Sequence, residues 1–263
     1  MQIHGMVDRP ITLDYRTLLE RPLIERDVTL TCVSNEVGGR YIGNARWIGA
    51  PLKDLLEEAG VAPGATQIVS RSVDGFTIGT PTAIATDGRD AMLAVAMNGQ
   101  PLPLEHGFPV RMVVPGLYGY VSATKWVVDI ELTTFEAYDA YWVNRGWAQQ
   151  AAIKTESRID TPRASAALDA GDVIVAGIAW AQHRGIDGVE VQVDGRAWLP
   201  ADLAAEDTVD TWRQWMFRWN ATAGAHTLAV RAADGSGRVQ TPTPAPPFPN
   251  GASGDHTISV TVR

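Results

Sequence analysis

Cys32 is the only cysteine in 263 residues, and its setting suits a thiolate that is put to use. Val28, Leu30 and Cys32 alternate with Thr29, Thr31 and Val33. That is the period-two signature of a strand with one buried face, and it predicts the sulfur on the apolar side. Ser34, Asn35, Gly38 and Gly39 follow directly, ending the strand in a loop whose glycines let the backbone approach a ligand closely. A soft thiolate at a strand end over such a loop suits a transition metal. On spacing alone, the commoner reading of a lone cysteine on an apolar face is a small buried hydrophobe. Arg111 is the second candidate. Val110, Met112 and Val114 alternate with Arg111 and Val113, so Arg111 faces away from the apolar row, where strand arginines are often surface salt bridges. No serine, histidine and acid set at motif spacing suggests hydrolysis. The sequence also lacks a glycine-rich phosphate loop and a dinucleotide fingerprint.

The elements that must position these residues are mostly short strands. Pro51 to Ala59 predicts a helix with Leu52, Leu55, Leu56 and Ala59 on one face and Gly60 as its stop. Asp74-Gly75 and Asn98-Gly99 are hairpin turns, the second joining Met92–Met97 to Leu102–Leu104. Trp126, Val128, Ile130 and Leu132 read as the buried row of another strand. Residues 157–171 show no sustained periodicity, which places a domain boundary near residue 160. Beyond it, Val173–Ala179, Val189–Val193, Trp212–Trp219, His226–Arg231 and Thr257–Val262 recur at near-regular spacing, the signal of a β-sandwich. Pro242 to Pro249 is a loop that cannot be a central strand. At 45% hydrophobic and 20% charged residues, the chain has the makings of one large or two medium globular domains. Its net charge of −8, with no Lys/Arg cluster to offset it, argues against a nucleic-acid partner. No apolar run approaches the roughly 18 residues needed to span a bilayer, so the chain as given is expected to be soluble.

The order Cys32-x-x-Asn35, then His106-Gly107-Phe108-Pro109-x-Arg111, then Pro115-Gly116-x-x-Gly119, then Lys125-Trp126 resembles the sulfite oxidase family of molybdenum enzymes. The resemblance implies an α+β, mostly β molybdopterin domain over residues 1–160 and an immunoglobulin-like dimerisation sandwich over 161–263. It implies molybdenum held by the Cys32 thiolate and the dithiolene of one molybdopterin. Asn35, His106, Arg111, Ser122 and Lys125 are then expected at the cofactor, the cations answering its phosphate. The chain begins where relatives have already run through an upstream segment that helps wall the pocket, so this stretch alone is expected to hold the cofactor incompletely. In the branch it resembles, a membrane-embedded N-terminal region precedes the catalytic part, which faces outside the cytoplasm. With no C-x-x-C-H haem motif, electrons must leave to another protein or to that region.

Three departures bear on the substrate. Glu36 and Val37 stand where sulfite-oxidising relatives carry arginines. The stretch between Gly119 and Lys125 is one residue longer than theirs and lacks their arginine. In Tyr141-Trp142-x-x-Arg145-Gly146-Trp147, Gly146 and Trp147 replace an Asp-Tyr pair, which leaves Arg145 and Trp147 as candidate substrate contacts. The expectation is an oxidoreductase that moves an oxygen atom on a small, neutral substrate. Sulfoxide reduction, and a non-catalytic binding module without metal, stand as alternatives.

Overall fold

The structure, a computed structural model, describes every residue from Met1 to Arg263. The chain forms two units, one of residues 1–32 and 43–152, the other of 33–42 and 153–263. The boundary therefore lies at Ala152, and the ten residues after Cys32 are grouped with the second unit.

The first unit holds two sheets, the first of them mixed. One runs Ile11–Thr12, Gln2–Gly5, Val127–Thr133, Gln67–Ser72, Thr77–Pro81, with Gln2–Gly5 parallel to Val127–Thr133. The other runs Ile24–Thr31, Ile42–Pro51, Met92–Met97, Gln100–Pro101, with Arg111–Val113 added beside Met92–Met97. The helix Leu52–Ala59 buries all four residues of its predicted apolar face, and Gly60 ends it at φ +68°, a left-handed conformation that glycine adopts without steric cost. Both hairpins form. At Asn98-Gly99 both residues have positive φ, as a tight hairpin of this hand requires. The returning strand is only Gln100–Pro101, because Leu104 already opens the single 3-10 turn Leu104–His106.

One face prediction fails for a local reason. Within Val127–Thr133 the buried residues are Val127, Ile130 and Leu132, while Val128 is exposed. A register shift against Gln67–Ser72 between Val127 and Asp129 adds one residue, and one residue turns a strand over.

The second unit is a two-sheet sandwich. One sheet is Glu156–Thr161, Gly171–Trp180, Arg213–Ala221, Asp202–Leu203; the other is Ala167–Leu168, His256–Val262, Gly224–Asp234, Ile186–Val193, Leu199–Pro200. All five predicted strands are present. Glu156–Thr161 was not predicted, because its burial pattern is irregular and a register shift interrupts it after Ile159. Trp215 and Trp219 are buried in the core between the sheets with Val175, Val191, Leu228 and Val230. No helix is long and apolar enough to cross a membrane.

Glu156 is 6% exposed, and burial pushes its carboxyl up to about 8, opposed by Lys154 and reinforced by Asp255. The folded state therefore binds a proton that the unfolded chain releases above its ordinary value of 4.5, so this group makes stability fall as pH rises from about 4.5 to about 8. The expected result is that Glu156→Gln melts higher than the native chain at pH 8 and close to it at pH 4, as calorimetry would report.

Candidate functional site

Cys32 lies just past the end of the strand Ile24–Thr31 and is exposed. The expected inward sulfur is corrected by the burial of Thr29, Thr31 and Val33: the apolar alternation read from Val28 and Leu30 does not persist to the strand's end, where two threonines take the covered positions. Beside it lies the turn Gly119–Val121, with a Cβ added to Gly119 meeting the Thr31 carbonyl at 3.8 Å. An exposed thiol has its nucleophile and ligand orbitals open to an incoming group.

The cations converge on one turn. The segment Arg111–Val114 is bonded to Ser122–Thr124, Met112 N–H donating to Thr124 O at 2.9 Å and Val114 N–H to Ser122 O at 3.2 Å, which brings Lys125 alongside Arg111. Three donors then close on three successive carbonyls of Leu104–His106. Trp126 Nε1 donates to Leu104 O at 2.8 Å, Lys125 Nζ to Glu105 O at 3.0 Å and Arg111 Nη1 to His106 O at 3.3 Å. Gly107 follows at φ +115°, and a Cβ there would meet the Lys125 side chain at 3.0 Å, so the backbone rests against that side chain. The Lys125 ammonium is 4.2 Å from the Trp126 ring centroid, and the Arg111 guanidinium carbon 5.2 Å from that of Trp47. The His106 ring is exposed.

Arg111 is not the surface salt bridge that its strand position suggests. Its Nε is fully covered and has no partner, while its Nη end reaches His106 O. No carboxylate pairs with it, and burial brings its pKa down to about 10. It stays protonated at neutral pH, a cation whose charge the protein leaves unneutralised. Trp47, which faces it across 64 positions, carried no local signal in the sequence.

Asn35 and Ser122 spend their polar atoms inside their own segments. Asn35 is buried, its Oδ1 accepting from Tyr41 N–H at 2.7 Å and lying 2.6 Å from where a Gly39 Cβ would be. The Ser122 hydroxyl, fully buried, donates toward Leu117 O and Tyr118 O, each at 3.0 Å. Arg145 and Trp147 fall into an aromatic row that runs Phe76, Tyr141, Trp142, Trp147, Tyr120 with centroids 5.1 to 6.4 Å apart. The Arg145 guanidinium stacks 3.5 Å from the Tyr141 centroid and donates to Tyr141 O at 2.7 Å. Tyr120 donates to Ala148 O at 2.6 Å, and burial pushes its phenol up to about 12.

The model of the oxidoreductase molybdopterin-binding domain matches residues 1–142, more than half of the chain. The chain belongs to that family. It is 32% identical over 284 aligned residues to the mitochondrial sulfite oxidase of Mus musculus, covering 90% of this chain and 52% of that protein. It is 33% identical over 147 residues to an uncharacterized oxidoreductase, YuiH, of Bacillus subtilis, covering 56% of this chain and 71% of that one. The sulfane dehydrogenase SoxCD of Paracoccus pantotrophus shares the fold at a TM-score of 0.82 and 24% identity, over 98% of this chain and 74% of that one. The chain spans about half the length of the sulfite oxidases it matches. The cofactor of this family is molybdopterin carrying molybdenum, and the covered, unpaired Arg111 Nε fits a group that ends in a phosphate.

A half-buried cation whose Nε is covered without a counter-charge costs the fold free energy that an apolar side chain of similar length would not. Arg111→Met is therefore expected to melt no lower than the native chain while its molybdenum content, measured by elemental analysis, falls roughly tenfold or more. A variant that loses stability but keeps its metal would reverse this assignment.

Proposed function

We propose that this chain is the catalytic core of a molybdenum-dependent oxidoreductase that transfers an oxygen atom to or from a small, neutral substrate. The observation that carries this is the Arg111 guanidinium, desolvated and unpaired beside Lys125 and His106 on one turn. When bound, the molybdenum centre supplies the two-electron oxygen-atom chemistry. The chain's own share is holding and orientation. Cys32 would offer an uncovered sulfur just past a strand end. Lys125 and Arg111 would hold the pterin phosphate, and the carbonyls of Glu105 and His106 fix their direction without cancelling their charge.

Two of the cations that could receive an anionic substrate, Arg46 and Arg145, are already engaged. Glu36 is exposed where sulfite-oxidising relatives have arginine. Arg46, which lies near enough in sequence to compensate, is held by both carboxylate oxygens of Asp27 at 2.7 to 3.2 Å. Arg145 is stacked on Tyr141. A dianion desolvated without partners carries a penalty of several kcal/mol, so a neutral substrate is favoured. The same loss of cations favours sulfoxide reduction as the second reading. Electrons pass to a separate protein or to an upstream membrane region. We further propose that the sandwich, whose second sheet leaves Leu199 and Val239 exposed at its margins, carries a homodimer contact.

Two measurements test the proposal. Cys32→Ser removes one exposed side chain, a change worth within about 0.5 kcal/mol to the fold, and is expected to abolish turnover of the loaded enzyme while leaving the melting temperature unchanged. Retained turnover would end the assignment. In steady-state assays of the loaded protein, a neutral sulfoxide with a reduced dye is expected to exceed sulfite with an oxidised dye by at least about tenfold in kcat/KM, about 1.4 kcal/mol in transition-state stabilisation. Efficient sulfite turnover would refute the neutral-substrate reading.

A further inference from the structure

The second unit contains a cleft that none of the chemistry above uses. A cavity of about 350 Å³ is lined by Gly38, Arg40, Arg158, Asp160, Arg163 and His256, with flanking apolar residues. Three guanidinium groups face one carboxylate, in a chain whose net charge is −8. The carboxylate is spoken for, since Asp160 Oδ1 accepts from Arg158 Nε at 2.7 Å. Arg158 is also anchored at its other edge, Nη1 donating to Gly39 O at 2.6 Å, and its side chain is only 17% exposed. Its Nη2 has no protein acceptor, and neither Arg40 nor Arg163 has an ion-pair partner.

The fourth polar group is His256. Its Nδ1 accepts from Ile159 N–H at 2.9 Å, so the neutral ring carries its proton on Nε2 and is a donor there. Burial and the neighbouring Arg158 hold its pKa below the ordinary value. The ring lies against Gly38, at φ +73°, where a Cβ would come within 2.3 Å of Cδ2 and Nε2. Donor-bearing side chains thus line the cleft from three separate parts of the unit, the 33–42 segment, the strand Glu156–Thr161 with its following loop, and the strand His256–Val262. A solvated arginine edge needs no such convergence, and guanidinium groups without carboxylates are a recurrent means of holding phosphate- or sulfate-like groups.

We infer that this cleft binds a small divalent oxyanion of the phosphate or sulfate class, and that its occupancy firms the segment that continues from Cys32. The coupling follows from the walls. Gly38, Gly39 and Arg40 are neighbours in that segment, one packed on His256, one accepting from Arg158 and one supplying a cation. An anion that draws Arg40 and Arg158 together also holds the backbone between Asn35 and Tyr41. The cavity size is at the lower end of the range for small-molecule pockets, so a bare or singly substituted oxyanion fits better than a macromolecule.

The test needs no molybdenum, and its outcome is independent of the function proposed above. The full chain, carrying Arg111→Met throughout so that the cationic turn beside Lys125 does not add a second phosphate site, is titrated calorimetrically with inorganic phosphate, and separately with sulfate, at low ionic strength so that screening does not mask the contact. The expected result is one saturable site per chain, weakened at least about fivefold by Arg40→Ala or Arg163→Ala and lost in the double variant. Both side chains are exposed, so these variants should fold as the native chain does. Arg16→Ala, an exposed residue on the helix Tyr15–Leu19, should bind as the native chain does. Amide exchange of residues 36–40 should slow with phosphate in the native chain and not in the double variant. Binding that survives in the double variant, or a native titration with no saturable event, would overturn the site. Saturable binding with unchanged exchange would overturn the coupling.

Discussion

A guanidinium that is desolvated without a counter-charge is the constraint around which the cofactor half of this protein is arranged. The usual answer to a buried arginine is a carboxylate, which recovers the lost hydration but consumes the charge. Here Arg111 receives the carbonyl of His106 and the face of Trp47 instead. A carbonyl dipole or an aromatic quadrupole orients a cation and offsets part of its desolvation while leaving its unit charge available. Lys125 is treated the same way, between the Glu105 carbonyl and the Trp126 ring. Two cations close in space and both without acids are a poor solution for stability alone. They make sense when the counter-ion is a ligand.

The segment around Cys32 divides between the two units. Cys32 closes a strand of the first unit, and the segment from Val33 to Ile42 groups with the second. Asn35 and the two glycines explain how that segment keeps its shape: one carboxamide caps it from inside, and the missing side chains admit the His256 ring and the Asn35 oxygen where any Cβ would clash. The thiol therefore has one flank fixed by a sheet and the other by a loop whose supports lie in the sandwich.

In the proposed reading, the substrate side turns on what Arg46 and Arg145 are already doing. Arg46 is clamped by Asp27, and Arg145 is laid on Tyr141 within a row of five aromatic rings. Such a row offers polarizable, largely apolar surface. Tyr120 ends the row as a neutral phenol fixed to Ala148 O, so it too offers no charge.

Sequence alone determined the parts of this protein whose signals are local. The helix Leu52–Ala59, the Asp74-Gly75 and Asn98-Gly99 turns and the five sandwich strands follow from periodicity and turn chemistry, because each is fixed by residues within a few positions of one another. The order of Cys32, His106, Arg111 and Lys125 was likewise readable, and it pointed to the family before any geometry was known. Only the tertiary structure decided which way the key side chains face. Cys32 is exposed because the threonines at the strand's end took the covered side, and Val128 is exposed because one extra residue at a register shift turned the strand over. Arg111 is desolvated because Trp47, distant in sequence, closes over it. Facing and burial depend on pairing partners tens of residues away, and a period of two carries no record of which partner arrives or in what register.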